Sequence, residues 1–271
     1  MNNTEFKVVV ITGAASGMGK ELALQYAAQG YNLALADLSI DSLMLVKQEA
    51  ERLGAAEVVC EAVDVASESQ VNQFAERVSS TFDRVDVVIN NAGITRMGTF
   101  EGSSPEAFRQ IIDVNFWGVV YGSRAFLPAL KKSAGTLTNI SSLFGLIGVP
   151  GQTAYCASKF AVRGFTESLR QEVQEFGVHV ACVHPGGIRT NIARNAVFDE
   201  QNDTREQAIE RIESKALVMP ASKAAGIIRN GIAKRKSRIL IGRDAKTLDY
   251  IARLFPVFYT RVLSKFMSTE D

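Results

Sequence analysis

Tyr155 and Lys159 stand four residues apart in the run Tyr155, Cys156, Ala157, Ser158, Lys159. On a helix that spacing stacks a phenol and an ammonium on one face. A free tyrosine titrates near ~10 and is a poor base at neutrality, but a neighbouring cation favours the phenolate and lowers that value. The pair can therefore exchange a proton with a bound substrate. Alone it carries little weight, because a Tyr and a Lys at helical spacing recur by chance in most proteins. What matters is whether the rest of the chain gives the pair a purpose.

The elements that would position the pair begin at the N-terminus. Val8 to Ile11 is a continuous apolar run, as expected of a strand buried on both faces of a parallel sheet. It leads into TGAASGMG, Thr12 to Gly19, and then a helical pattern from Lys20 to Ala28. Glycines at Gly13, Gly17 and Gly19 let a backbone approach a pyrophosphate closely, and a helix N-terminus offers free amides and a positive dipole end. A second strand, Leu33 to Ala36, ends at Asp37, about twenty residues beyond the turn, where an acid would accept hydrogen bonds from an adenosine ribose. The same acid would repel a 2′-phosphate, and Ser16, Leu38 and Ser39 supply no cation for one, so the pattern favours NAD over NADP. Asp37 can also be read as a cap for the next helix, a task open to Ser39 as well.

Strand and helix patterns then alternate: helix Ile40 to Leu53 stopped by Gly54, strand Glu57 to Val63 running to Asp64 and Val65, helix Ser67 to Thr81, and strand Val85 to Ile89 entering the turn Asn90 to Gly93. Ser104 to Leu130 reads as one long helix with Pro105 in its first turn, and Gly135 to Ser141 as a fifth strand. A helix from Thr153 to Phe176 carries Tyr155 and Lys159. Val178 to Val183 is a sixth strand that enters His184-Pro185-Gly186-Gly187, and a last helix and strand end at Ala233 and Ile241. His179 and His184 flank an apolar strand and read as structural.

Six motifs in order, TGAASGMG, NNAG at Asn90, VNFWG with Asn115, NISSLFG with Ser142, YCASK and HPGGIRT, resemble those of the short-chain dehydrogenase/reductase family over about Lys7 to Thr190. The resemblance implies an α/β Rossmann-type fold, a doubly wound, mainly parallel seven-stranded sheet, with hydride transfer between an alcohol and a carbonyl compound through a nicotinamide cofactor. It implies a catalytic set of Asn115, Ser142, Tyr155 and Lys159, with Ser142 chosen over Ser141 because it lies thirteen residues before Tyr155. Asn115 would hold a water that links Lys159 to solvent; a mid-helix Asn bonded to a neighbouring carbonyl is the plainer alternative. The implied cofactor contacts are Gly13, Ser16, Gly17, Met18 and Gly19 in the first turn, then Asp37, Asp64, Val65, Asn91, Ala92 and Gly93. Tyr155, Lys159, Pro185, Gly186, Ile188 and Thr190 complete them.

The whole chain has 271 residues, 46% hydrophobic and 22% charged, long enough to bury the core of one such domain. Thirty Lys and Arg against 29 Asp and Glu leave no global field for nucleic acid, which is not expected as a partner. Three widely spaced cysteines in apolar sequence imply neither a disulfide frame nor a metal site, and a reduced setting. Neither a leader nor an apolar run of membrane length is evident, so the expected compartment is the cytoplasm.

Two segments depart from the minimal pattern. Asn191 to Met219 turns polar, with an amphipathic stretch at Glu206 to Leu217, and reads as a substrate lid or a plain surface excursion. Asp244 to Met267 carries Leu248, Ile251, Leu254, Phe255, Phe258, Val262 and Phe266 with interleaved Arg253, Arg261 and Lys265, broken by Pro256. It reads as an extension that roofs the pocket or packs on another subunit of a homodimer or homotetramer. A basic amphipathic segment on a membrane surface and inert packing are the alternatives. The expected activity is an NAD-preferring dehydrogenase or reductase of lipophilic secondary alcohols and ketones. A 3-oxoacyl-type reductase and a non-catalytic dinucleotide-binding scaffold are the rivals.

Overall fold

The computed structural model describes residues 6–190, 197–198 and 218–260. Most of the segment expected to be a lid and the last part of the tail lie outside the described residues.

Seven strands form one sheet: β1 (Val8–Thr12), β2 (Asn32–Asp37), β3 (Val58–Ala62), β4 (Val87–Asn90), β5 (Thr136–Ile140), β6 (His179–Pro185) and β7 (Arg238–Ile241). Their order is β7-β6-β5-β4-β1-β2-β3 and every pairing is parallel. Val9 sits between Leu33 of β2 and Val87 of β4. Alternation decides which face each side chain serves. Val9 and Ile11 join α1 (Gly17–Ala27), α2 (Ile40–Leu53) and α7 (Ala221–Ala233) in one apolar cluster. Val8 and Val10 join α3 (Glu68–Thr81) and α5 (Gly118–Ser133) in the other. Both faces of β1 are therefore covered, which explains its unbroken apolar run.

Local chemistry sets the helix ends. Ser39 and Ser67 accept hydrogen bonds from Ser42 and Gln70 backbone N–H groups at the starts of α2 and α3, and Gly54 ends α2 at φ 117°. Ser104 caps α4 (Pro105–Ile112) with Pro105 in its first turn.

Three boundaries differ from those expected. The long helix over Ser104 to Leu130 is interrupted: α4 gives way to a π-helical turn, Asp113–Trp117, before α5. The interruption centres on Asn115, whose side chain is fully buried and bonded away from its own helix. The helix α6 (Thr153–Glu172) stops short of Phe176, and Gln174–Phe176 forms a 3-10 turn closed by Gly177 at φ 71°. β6 continues through Pro185, because Gly186 N–H donates to Ile241 O at 2.8 Å and extends the pairing with β7 past the proline.

The direction of winding reverses between β1 and β4, where the chain turns from one half of the sheet to the other. In such a sheet the crevice beyond the strand C-termini at that reversal is the ligand site. The turns after β1, β2, β4, β5 and β6 all open there. The tail contributes α8 (Arg243–Leu254), whose fully buried Ala245 packs with Leu143, Leu146 and Ile147 just after Ser142.

Candidate active site

The Thr12–Gly19 turn is a cradle that side chains would fill. Gly13 and Gly17 have φ of 65° and 53°, a region costly for other residues. A Cβ on Gly19 would strike the Gly13 carbonyl, and one on Gly17 would come 3.2 Å from Thr190. Ser16 precedes α1 with no hydrogen bond from its side chain to the helix, and α1 has no acid in its first turn. Its leading amides and the positive dipole end therefore face the crevice without a competing anion. Met18, half-buried, packs against the core beneath the turn.

Asp37 closes this turn from the end of β2. Its Oδ2 accepts the Ala15 N–H at 3.0 Å and its Oδ1 the Ser39 N–H at 3.4 Å. Ser39 takes the capping role for α2, which releases Asp37 from that task. From β4, Asn91 is committed to the same turn: its Nδ2 donates to the carbonyls of Thr12 and Gly13 at 3.0 Å each. Thr12 Oγ1 accepts the N–H groups of Asn91 and Ala92 at 3.0 and 3.1 Å. Asn91 and Ala92 thus shape the cradle from behind. Asp64 accepts the Ala66 N–H, and buried Val65 lies against Gly118, where a Cβ would approach it to 2.9 Å.

The four residues of the expected catalytic set come together. The Ser142 side chain interacts with Tyr155 in the direction that favours the phenolate, and Ser142 Oγ accepts the Phe144 N–H at 3.1 Å. The neighbouring Ser141 is buried and donates to Lys159 O at 2.8 Å, so the two serines divide between the phenol and the helix backbone. Lys159 is buried, with Nζ donating to Ile140 O at 3.0 Å and lying 5.6 Å from the centre of the Tyr155 ring. Phe144 meets Tyr155 edge-on at 6.1 Å.

Asn115 spends its side chain on protein partners. Oδ1 accepts Ile94 N–H at 2.8 Å, and Nδ2 donates to Ile94 O at 2.9 Å and to Ser158 Oγ at 3.1 Å. Both Asn115 Oδ1 and Lys159 Nζ border the space that a Cβ on Gly93 would fill, at 3.1 and 3.4 Å from it.

Burial governs the charges. It pushes the Tyr155 phenol up to about 12, against a lowering by Ser142, and pulls Lys159 down to about 8. The depressed phenol expected from the Tyr155–Lys159 pair is not produced by the protein's own groups. His184 is held down to about 4, chiefly by burial, with its Nδ1 3.2 Å from Ser142 O. Because His184 is neutral, Nδ1–H donates to that carbonyl. His179 opens β6 at the end away from the crevice.

The residues expected on the nicotinamide side follow β6. Ile188 is buried and pairs with Met219, and Thr190 stands over Gly17. Three contacts escaped the sequence. Ser158 joins Asn115 to Tyr155 O. Thr95 bonds Gln152 at 3.0 Å in a buried pair. Asp244 accepts the Gly187 N–H. Only Asp244 left a signal, an acid two residues after Gly242 at the head of an amphipathic stretch.

Among the described residues no cluster of His, Cys, Asp and Glu fit to hold a metal occurs, and no helix is long and apolar enough to cross a membrane.

Comparison with known proteins agrees with this geometry. SadH of Mycobacterium tuberculosis, provisionally designated an oxidoreductase, is 45% identical over 267 residues, 97% of this chain and 96% of its own. A short-chain dehydrogenase/reductase from Burkholderia phymatum, solved in complex with NAD, superposes with a TM-score of 0.82 at 28% identity, covering 98% of this chain and 97% of its own. An alcohol dehydrogenase from Thermococcus sibiricus, complexed with 5-hydroxy-NADP, gives 0.76 at 28% identity over 88% of this chain and 96% of its own. The model of the short chain dehydrogenase family matches residues 7–201. With that match, the sheet order and the convergence of Ser142, Tyr155 and Lys159, the chain belongs to the short-chain dehydrogenase/reductase family of oxidoreductases.

Proposed function

We propose that this protein moves a hydride between NAD and a lipophilic secondary alcohol or ketone, with Tyr155 as general acid and base. The observation that carries the reading is the placing of the Ser142 side chain against Tyr155, beside a buried Lys159 whose Nζ lies 5.6 Å from the centre of the Tyr155 ring. In the reduction direction Tyr155, held protonated by burial, donates its proton to the substrate oxygen. Ser142 donates a hydrogen bond to that oxygen as negative charge develops on it. In oxidation Tyr155 accepts the hydroxyl proton. Bringing its pKa from about 12 to neutrality takes roughly 7 kcal/mol at ~1.36 kcal/mol per unit, more than one partner supplies. Bound in the crevice, the nicotinamide supplies the hydride chemistry and, when oxidised, a positive charge that favours the phenolate.

The cofactor would lie with its pyrophosphate on Gly13, Ser16, Gly17, Met18 and Gly19, and its adenosine ribose on Asp37. Asp64, Val65 and the Asn91, Ala92 and Gly93 turn would line the middle. Lys159 would hold the nicotinamide ribose, and Pro185, Gly186, Ile188 and Thr190 the nicotinamide. Asp37 without a neighbouring cation at Ser16, Leu38 or Ser39 supports NAD over NADP. Protons would leave Lys159 through a water in the Gly93 gap beside Asn115.

Phe144 against Tyr155, and Leu146, Ile147 and Val149 packed with Leu248 and Tyr259 of the tail, support an apolar substrate. The described part of the tail therefore favours the reading as a wall of the pocket. Half-exposed Trp117 and Phe160 on the outer side of the π turn and α6 support a homodimer or homotetramer. Exposed Leu254, Phe255, Val257 and Phe258 keep peripheral membrane contact as a second role for the tail. We place the protein in the cytoplasm, as one dehydrogenase domain with a lid over residues 191–219.

The test is NADH fluorescence followed against a panel of alcohols and ketones, with NAD and NADP compared and NADH affinity measured in parallel. Turnover of apolar secondary alcohols or ketones with NAD is expected. Tight NADH binding without turnover of any compound would favour a non-catalytic scaffold instead.

A further inference from the structure

The tail reaches the cofactor side of the crevice through one carboxylate. Asp244, in the first turn of α8, accepts the Gly187 N–H through Oδ2 at 2.8 Å across 57 residues of chain. The preceding amide, Gly186 N–H, is taken by Ile241 O at 2.8 Å, and Gly187 O accepts the Met219 N–H at 3.1 Å. Every hydrogen bond just named on the Gly186–Gly187 turn therefore runs to residues 219–244, beyond the 7–201 segment that defines the family match. The glycines on either side are there because the carboxylate is. A Cβ on Gly186 or on Gly242 would fall onto the Asp244 side chain.

The same helix grips the other wall. Ala245, next in sequence, is fully buried against Leu143, Leu146 and Ile147, which follow Ser142. His184, at the end of β6, holds Ser142 O. One helical turn thus wedges between the segment that carries Ser142 and the turn on the nicotinamide side. The helix is moored to the sheet by the Asp249 carboxylate, which pairs with Arg238 of β7 and with Arg253 at 3.3 Å.

We propose that Asp244 is a positioning residue for the nicotinamide end of the cofactor, acting through the Gly186–Gly187 turn. The inference rests on the dinucleotide site proposed above. Asp244 itself touches neither substrate nor cofactor. It fixes the backbone that does, so its loss weakens the nicotinamide half of the molecule and leaves the adenosine half on Asp37 and the first glycine turn undisturbed.

The experiment compares NADH with ADP-ribose, which lacks the nicotinamide, on the full-length protein. Removing a charge-assisted hydrogen bond in Asp244→Ala is expected to raise the NADH dissociation constant about tenfold and that of ADP-ribose less than about twofold. KM for NAD should rise more than kcat falls. Asp244→Asn keeps an oxygen acceptor for Gly187 and should recover most of the affinity. Gly242→Ala, whose methyl would fall on the Asp244 side chain at a position with no proposed cofactor contact, should repeat the selective loss if Asp244→Ala proves too unstable, with melting midpoints checking the fold. Equal weakening of both ligands, or no weakening of either, would overturn the inference while leaving the dinucleotide site standing. Wild-type protein that binds neither ligand would overturn both.

Discussion

Asn115 Nδ2 donates to Ser158 Oγ at 3.1 Å, and Ser158 Oγ donates in turn to Tyr155 O at 2.7 Å. The π turn between α4 and α5 is thereby tied to the helix that presents Tyr155 and Lys159. The distortion has a local cause: Asn115 gives its side chain to Ile94 and Ser158, and the helix adds a residue to the turn to let it. Replacing Asn115 by Leu strands the Ile94 N–H and C=O, both near the Asn90 to Gly93 turn. Each unpaired, partly buried group costs ~1–3 kcal/mol, so a loss of roughly 2–6 kcal/mol is expected in urea unfolding, with a fall in kcat. Asn115→Ser should not recover either.

Gly93→Ala separates the two uses of that region. Its methyl would lie 3.1 Å from Asn115 Oδ1 and 3.4 Å from Lys159 Nζ, in the gap proposed for a relaying water. The neighbours need give only a few tenths of an ångström, so the fold should survive with a melting midpoint near wild type. A kcat lowered by more than NADH affinity falls is the expected result in stopped-flow and equilibrium binding.

Asp37→Ala removes the acceptor placed for a ribose hydroxyl and the partner of Ala15 N–H. The ratio of kcat/KM for NAD to that for NADP should fall about tenfold, the loss of ~1.4 kcal/mol expected of one good hydrogen bond. An unchanged ratio would remove Asp37 from cofactor discrimination.

His184 makes acid lability a property of the site. Its folded pKa is depressed to about 4 from 6.5. The unfolded chain therefore binds a proton that the folded one refuses, so the associated stability is fully present above about 6.5 and is lost as pH falls toward about 4. Two to three units correspond to roughly 3 kcal/mol. Urea midpoints measured from pH 7.5 to 4.5 should fall more steeply in wild type than in His184→Gln, which keeps a donor near Ser142 O and does not titrate.

Much of this was legible before the structure, for physical reasons that differ by element. β1 could be read because burial on both faces leaves an uninterrupted apolar run, and α2 because Ser39 and Gly54 punctuate it. Spacing and resemblance single out Tyr155, Ser142 and Lys159, and the structure brings the three side chains together. The break in the helix at Asn115 was not legible, since local propensity across Ser104 to Leu130 is helical throughout and only the distant Ile94 and Ser158 explain the turn. The raised pKa of Tyr155 was missed because spacing reveals the nearby cation but not the burial that outweighs it. Asp244 stands out in the sequence at the head of the tail, but its role was not legible, because its partner, Gly187, lies 57 residues away.

Tyr155→Phe tests the central claim most directly. The phenylalanine keeps the ring against Phe144 and removes only the hydroxyl, the group that Ser142 influences. Single-turnover measurements on a substrate found with wild-type protein, together with NADH binding, should show affinity within about twofold of wild type and a rate lowered by at least ~10²-fold, the lower end of general acid–base contributions. Wild-type turnover in that variant, with NADH bound as tightly, would contradict the assignment of Tyr155 as the group that moves the proton.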